Sequence, residues 1–522
     1  MHPCLEIDEL FTAIAKEVRF GSHIKKPGRV NVFSLVKTCR AFKDPALGVL
    51  WSLITTPMPL LNLLPNDLRE IKAMEFEGRE VETLTFKRAA IPSDWERFDH
   101  YAQLVIKFGD TGPPARFVNI DPKVLQILAG RGKVLLPNMQ KIVLTSRGML
   151  QIAPILLSPR VEVCSTEAPW EDLRDLGSAL FKSIALNSPH LKTFRAYLPG
   201  DPGPSEEELQ RHVMPQLSQI VLKLPYLEKF HSNWIESQIE DDAIRHLMVL
   251  PTMRDLGTFL SSYSAVNNPK PPMGTARCAL KYLGVMCYDL AASGLITLLE
   301  ETMPVNLCTL SVISLRRCTP TSDLQRLFQL LNIICSSNDF SSLFIHEYNQ
   351  DDPNYDFTIT LPVLQPLLKF CNITALDLQA HPLNATDSDL LVIASSFPRL
   401  EKLRFGFLKH LDDHLITFQG LLHIAEHCRS MTVLGLSFRA DFPAGDLFPC
   451  TENCKHENLK LLEVGYSKVG DADKTSTFIR TLFPRLKGID RDMFPVGNDP
   501  NRKEWDEVRN LLGIKSYEFE LY

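Results

Sequence analysis

The sequence predicts an α/β protein with an N-terminal module of three short helices over residues 1–56. Over residues 57–522 it predicts a solenoid of strand, loop and helix units, in which the strands form one curved parallel sheet and the helices lie on its convex side. Three observations carry this: the length of the chain, an apolar pattern returning at a near-constant interval, and a different sequence style before residue 57. At 522 residues the chain exceeds the size at which a single core keeps growing, so it must divide or extend by repetition. Hydrophobic residues at 45% and charged residues at 23% supply a continuous core and exclude wholesale disorder.

The recurring pattern is two apolar residues three apart, usually with a third two further on. It reads Met139, Ile142, Leu144; Leu191, Phe194; Leu227, Phe230; Met253, Leu256; Leu280, Leu283, Val285; and Leu307, Leu310, Val312. It continues as Phe340, Leu343, Ile345; Ile373, Leu376, Leu378; Leu400, Leu403, Phe405; Met431, Leu434, Leu436; Leu459, Leu462, Val464; and Leu486, Ile489. From Met253 onward the starts lie 27 to 33 residues apart, and the repeats are clearest over 250–490. Between them run segments of helical periodicity such as Leu324–Ile334 and Leu390–Phe397. Ser188-Pro189, Phe397-Pro398 and Phe483-Pro484 mark where helices must stop, because the residue before proline is pushed out of the helical region. One such unit cannot bury its own apolar stripe, so units stack on their neighbours.

This pattern resembles the leucine-rich-repeat family in its longer, irregular, intracellular form, over roughly residues 80 to 490, although the family's asparagine ladder is mostly absent. A doubly wound α/β domain is the alternative, and no glycine-rich phosphate turn follows any strand to support it. Val81, Leu84 and Phe86, followed by Trp95 to Phe108, are the expected first strand and helix of the array. The turn-rich stretches Gly200–Glu208 and Asn267–Gly274 read as loops inserted between units.

The first residues read as three helices: an amphipathic one with Asp8 as N-cap and Leu10, Ile14 and Val18 on one face, then Phe33–Phe42, then Asp44–Trp51 with Pro45 in its first turn. The order Ile-Asp-Glu-Leu, Leu-x-x-Thr-Cys-Arg-Ala-Phe, Pro-Ala-Leu-x-x-Leu-Trp resembles an F-box of the kind found in mushroom-type fungi. Leu61-Asn-Leu-Leu-Pro65 and the set Trp95, Phe98, Tyr101, Ala102 are similar to the continuation of those proteins. The resemblance makes Leu5, Ile7, Leu10, Ile14, Leu35, Cys39, Phe42, Leu47, Leu50 and Trp51 candidates for packing within the trio or against a Skp adaptor subunit. Asp8 stands where the family usually has proline. A trio of this size buries too little surface to be robust alone, so its apolar faces need a partner: the adaptor or the first repeat.

No GxSxG, GxxxxGK[ST], HExxH or GxGxxG motif occurs, and no catalytic residue is assigned. Cys450, Cys454 and His456 lack the spacing and fourth ligand of a zinc site, and His423 and His427 lack a patterned third ligand. Cys39, Cys308, Cys371 and Cys428 read as small buried hydrophobes. The net charge of −6 and the absence of a basic run argue against nucleic acid, and Leu280–Leu299 is interrupted by Lys281 and Asp289, against a membrane span. The first nine residues carry acids where a signal peptide needs an apolar core, and the scattered cysteines suit a reducing compartment, so an intracellular place of work, cytoplasm or nucleus, is expected.

Given the repeat assignment, the side chains of each strand that face away from the core form the groove, among them Arg195, Lys229, His231, Asp255, Tyr282, Asp377, Lys402, Arg404 and Glu463. Their mixed charge suits recognition of a protein segment. The F-box resemblance implies a non-catalytic substrate receptor of a ubiquitin ligase, with a Skp adaptor, its cullin complex and a protein substrate as partners, and no cofactor or metal. The alternative is a leucine-rich-repeat scaffold without a ubiquitin role.

Overall fold

In the computed structural model the described residues are 7–20, 28–76, 79–110, 118–197, 211–232, 238–264, 279–347, 357–406, 415–440, 454–490 and 502–514. The chain divides into two compact units, Met1–Ala243 and Ile244–Tyr522. Gly200–Glu208, Asn267–Gly274 and Cys450 lie outside the described residues.

Unit 1 opens with helices α1 (Asp8–Phe20), α2 (Arg29–Val36) and α3 (Arg40–Trp51). Phe11, Ala15, Val32, Phe42, Ala46 and Val49 form their shared core, with the rings of Phe11 and Phe42 stacked at 4.1 Å. The inward face of α1 is thus one residue out of phase with the expected one. Phe11 and Ala15 point in, Leu10 and Ile14 point out, and Val18 is partly buried against the core. The helix is apolar over such a wide arc that its sequence fits either phase. Asp8 is the first helical residue rather than the cap, and the Ile7 carbonyl accepts from Phe11 N–H. The expected helix Phe33–Phe42 is broken at Lys37–Cys39. There the Thr38 hydroxyl bonds back to the Ser34 carbonyl, and Cys39 adopts an extended conformation that starts α3. Pro45 consequently lies inside α3, not in its first turn. The buried Arg19 guanidinium donates to the carbonyls of Val49 and Leu50 and, at 2.8 Å, of Leu53, satisfying the last carbonyls of α3 with a cation where the helix dipole favours one.

The strands of unit 1 are β1 (Leu53–Ile54), β2 (Arg69–Phe76), β3 (Arg79–Phe86), β4 (Lys107–Phe108), β5 (Asn119–Ile120), β6 (Lys141–Leu144), β7 (Val163–Thr166), β8 (Thr193–Ala196) and β9 (Lys229–Ser232). β1, β4, β6, β7, β8 and β9 pair in that order, all parallel. β2, β3 and β5 form a separate sheet in which β2 and β3 are antiparallel. The expected first strand of the array, at Val81–Phe86, therefore belongs to that side sheet, and β1 starts the main one. Val81, Leu84 and Phe86 follow the same three-then-two spacing as the ladder strands, so the pattern could not assign the sheet.

In unit 2, β10 (Asp255–Leu260), β11 (Tyr282–Cys287), β12 (Thr309–Ser314), β13 (Ser342–Glu347), β14 (Ala375–Pro382), β15 (Lys402–Gly406), β16 (Val433–Gly435), β17 (Leu461–Glu463) and β18 (Gly488–Asp490) pair in sequence order, all parallel. The register aligns Leu256, Leu283, Leu310, Leu343, Leu376, Leu403, Leu434, Leu462 and Ile489 side by side, each fully buried. Three residues upstream in every unit but the last, Met253, Leu280, Leu307, Phe340, Ile373, Leu400, Met431 and Leu459 form a second buried row, while Leu486 is only half-buried. Helices such as Thr321–Ile334, Asp387–Ser396 and Ala472–Leu482 connect the strands and pack on their neighbours in the chain. Ser188 in unit 1 and Phe397 and Phe483 here end their helices with ψ of 56, 65 and 68°, the departure from helix that the following proline imposes. A strand, loop and helix unit stacked in register on a leucine ladder is a leucine-rich-repeat solenoid.

Candidate interaction surfaces

The ladder fixes which residues look away from the helices. In β11, β12 and β13 burial alternates residue by residue, and Tyr282, Gly284, Ser311 and Phe344 lie half-buried on the open face. The predicted recognition residues all stand in this outward register. In unit 1 Arg195 pairs in register with His231, both half-buried, while Lys229 is exposed. In unit 2 Asp255 and Tyr282 pair in register and are half-buried.

Further along the same face the expectation changes. Asp377 is fully buried, Glu463 and Arg404 are 3% and 7% exposed, and the three form a chain of ions. Lys402 Nζ stands 2.6 Å from Asp377 Oδ2, Arg404 3.7 Å, and His346 Nε2 3.4 Å. The other end of the Arg404 guanidinium donates to Glu463. Arg404 sits on β15 and Glu463 on β17, and the bond passes over β16 because the intervening residue is Gly435: a Cβ there would lie 2.6 Å from Glu463 Oε2 and 3.1 Å from Arg404 Cγ. These three side chains are therefore held by one another, and among the predicted set it is Arg195, Lys229, His231, Asp255, Tyr282 and Lys402 that offer surface. Burial pushes the Asp377 carboxyl up, but His346 and Lys402 outweigh it and hold the group below its ordinary value. Burial dominates at Glu463, pushing it up to about 7 against the pull of Arg404.

Sequence reasoning missed a second buried polar cluster. Thr319 donates to Glu347 through its backbone N–H (2.8 Å) and its hydroxyl (2.5 Å). His381 Nε2 lies 2.8 Å from the same carboxylate, and its Nδ1 lies 3.2 Å from the Phe357 carbonyl. All three side chains are buried, and the cluster stands beside the register shift of β14, where Gly406 approaches the Gln379 carbonyl too closely for any Cβ. Its groups are spent on one another, which is a structural role.

On the trio, the predicted docking residues separate into two sets. Phe42 is in the core, and Leu35, Cys39 and Leu50 pack against it. Trp51 leans on Tyr101 with ring centroids 4.6 Å apart, so it joins the trio to the following segment; Leu47 is half-buried, and Leu5 lies outside the described residues. Ile7, Leu10 and Ile14 form an exposed apolar stripe at helical spacing, with Val30 and Phe33 of α2 and Phe20 also exposed. Phe11, the central core residue, and Val30 and Phe33 were not singled out from sequence. The one-residue phase ambiguity of α1 hid the first.

His456 accepts from Leu459 N–H and contacts the Cys428 carbonyl at 2.9 Å, which occupies both ring nitrogens; Cys454 faces Glu426 at 3.6 Å. Among the described residues no group of three or more metal-ligating side chains occurs, and no helix is long and apolar enough to cross a membrane.

No family model matches this chain. No curated protein matches it either. Among solved structures, an internalin from Listeria monocytogenes is similar at 11% identity and a TM-score of 0.33, over 77% of this chain and 94% of that one. The assignment of the repeat fold rests on the register and burial described above.

Proposed function

We propose that the chain is the substrate-receptor subunit of a Skp, cullin and F-box ubiquitin ligase. The N-terminal trio docks the adaptor, and the open face of the repeats binds a protein substrate. The observation that carries this reading is the stripe Ile7, Leu10, Ile14 with Val30 and Phe33: five large apolar side chains left outside the core of a small helical module. Such a concentration of exposed apolar groups marks an interaction site. The F-box-like order of residues in the same segment supports the identity of the partner, and the accessible outward side chains Arg195, Lys229, His231, Asp255, Tyr282 and Lys402 support a polar protein ligand. Catalysis then belongs to the partner proteins.

The test is co-purification of the full chain with a Skp adaptor subunit, beside a variant carrying Leu10→Asp and Ile14→Asp, with circular dichroism showing both folded. Retention of the adaptor by the native chain and its loss by the variant is expected. A folded native chain that retains no adaptor would leave a leucine-rich-repeat scaffold with no ubiquitin role.

A further inference from the structure

In unit 1 the helices Trp170–Asn187 and Met214–Val221 of neighbouring repeats leave a groove between them. Its floor is Phe181, Ala185 and Ile220, and its walls carry Lys182, Lys223 and Gln219. Among the described residues no carboxylate lines it and neither lysine has an ion-pair partner. Beside it Leu186 is 79% exposed and Leu222 is 44% exposed, far more than an aliphatic side chain on a repeat helix needs. In the turns that follow the two helices, the ring of the exposed Tyr226 lies 5.3 Å from that of His190. Cationic walls, an apolar floor and an apolar rim thus occur together.

We propose that this groove docks an acidic, amphipathic helix of a protein partner. The unpaired lysines call for carboxylates, and the floor with Leu186 and Leu222 calls for an apolar face opposite. A helix is the form that fits. Both walls are helices whose backbone groups are bonded internally, so they offer no edge to an extended strand, whereas a helix brings its own backbone already satisfied and seats side chains between two ridges. The groove is lined by no residue of the trio, and the proposal stands whether or not the trio binds an adaptor.

The test uses the full chain and a fluorescein-labelled model peptide with leucines at helical spacing and glutamates between them, beside the same peptide with glutamine for glutamate. Fluorescence anisotropy should show the acidic peptide binding the native chain. Its Kd should rise about tenfold or more for the variant Lys182→Glu with Lys223→Glu, and on raising the salt concentration. Leu186→Ser should weaken binding several-fold with the charges intact. Thermal melts of both variants should match the native chain, since the three side chains are exposed. Equal binding of the two peptides, equal binding by native and charge-reversed chains, or no binding by the native chain would overturn the proposal. So would sedimentation showing that this face instead pairs two copies of the chain.

Discussion

The leucine ladder of unit 2 and the N-terminal trio use the same kinds of side chain to opposite ends. Along β10 to β18 one aligned inward position in every strand is a Leu or Ile with no exposure, repeated so that every strand closes the one before it. In α1, apolar residues occupy both sides of one helix, with Phe11 and Ala15 sealed against Phe42 while Ile7, Leu10 and Ile14 face outward. Apolarity in a repeat is consumed by the neighbouring repeat. In a small module where no described neighbour stacks on that face, it is left available to another molecule. The contrast can be broken by substitutions that exchange the two behaviours.

The largest effects are expected from truncating either core: at Leu310→Ala, in the middle of the ladder, the lost methyl groups and the cavity left behind cost about 2–5 kcal/mol. Urea denaturation followed by circular dichroism measures it, and a loss below about 1 kcal/mol would show that the repeats relax around cavities. Phe42→Ala in the trio should fall in a similar range of about 3–5 kcal/mol. Limited proteolysis should then find new cleavage sites within the trio before any in unit 2.

A smaller effect, about 1–3 kcal/mol, is expected of Gly435→Ala, whose methyl would occupy the passage between Arg404 and Glu463 and force that pair apart. If it proves neutral, the ion chain contributes no stability.

Of comparable size is a pH effect. The folded value of Glu463 is raised to about 7 from an ordinary 4.5, so folding favours its protonated form. That contribution is full below pH 4.5 and is lost as pH rises to about 7. Glu463→Gln should remove this decline and gain stability over the native chain toward pH 7, while Asp377, held below its ordinary value, pulls the opposite way as pH falls through its folded value. Melting temperatures of both chains from pH 4.5 to 8 decide it. A constant offset across that range would mean that Glu463 does not titrate there.

The smallest stability effect belongs to Leu10→Asp with Ile14→Asp, about 0.5 kcal/mol or less, because neither side chain is in the core. A large loss would place the stripe in the core of the trio and undo the contrast.

How far the sequence reached follows from what periodicity can encode. Twelve strands of the ladder announced themselves by spacing, because each carries a large apolar residue at the inward position and another three residues before it. β7 escaped because its inward residue is Cys164 and its upstream partner Val161, although the gap from Met139 to Leu191 is close to two repeat lengths and should have prompted the search. β1 and β4 are two residues each, too short to show any period. The outward register of the recognition residues was legible, but the burial of Asp377, Arg404 and Glu463 was not, since it depends on Gly435 leaving a strand bare between two charged ones. His346 and the cluster of Thr319, Glu347 and His381 bring together residues far apart in the chain, and nothing local marks such meetings.

Arg19 binds α1 not only to the last turn of α3 but also to Leu53, the first residue of β1. The trio is therefore bolted rather than tethered. The step from α3 to β1 takes a single residue, Ser52, whose hydroxyl bonds to Val49 and whose carbonyl receives the amides of Ile106 and Lys107. Turning the trio against the start of the main sheet would strip partners from buried carbonyls at both sites, so torque applied to the exposed stripe is transmitted to the first strands instead of being absorbed by a swivel. If the stripe Ile7, Leu10 and Ile14 seats a partner as proposed, that partner would meet the repeats of unit 1 at a set angle, and the reach of any cargo on those repeats would be decided by geometry rather than by diffusion of a loose arm.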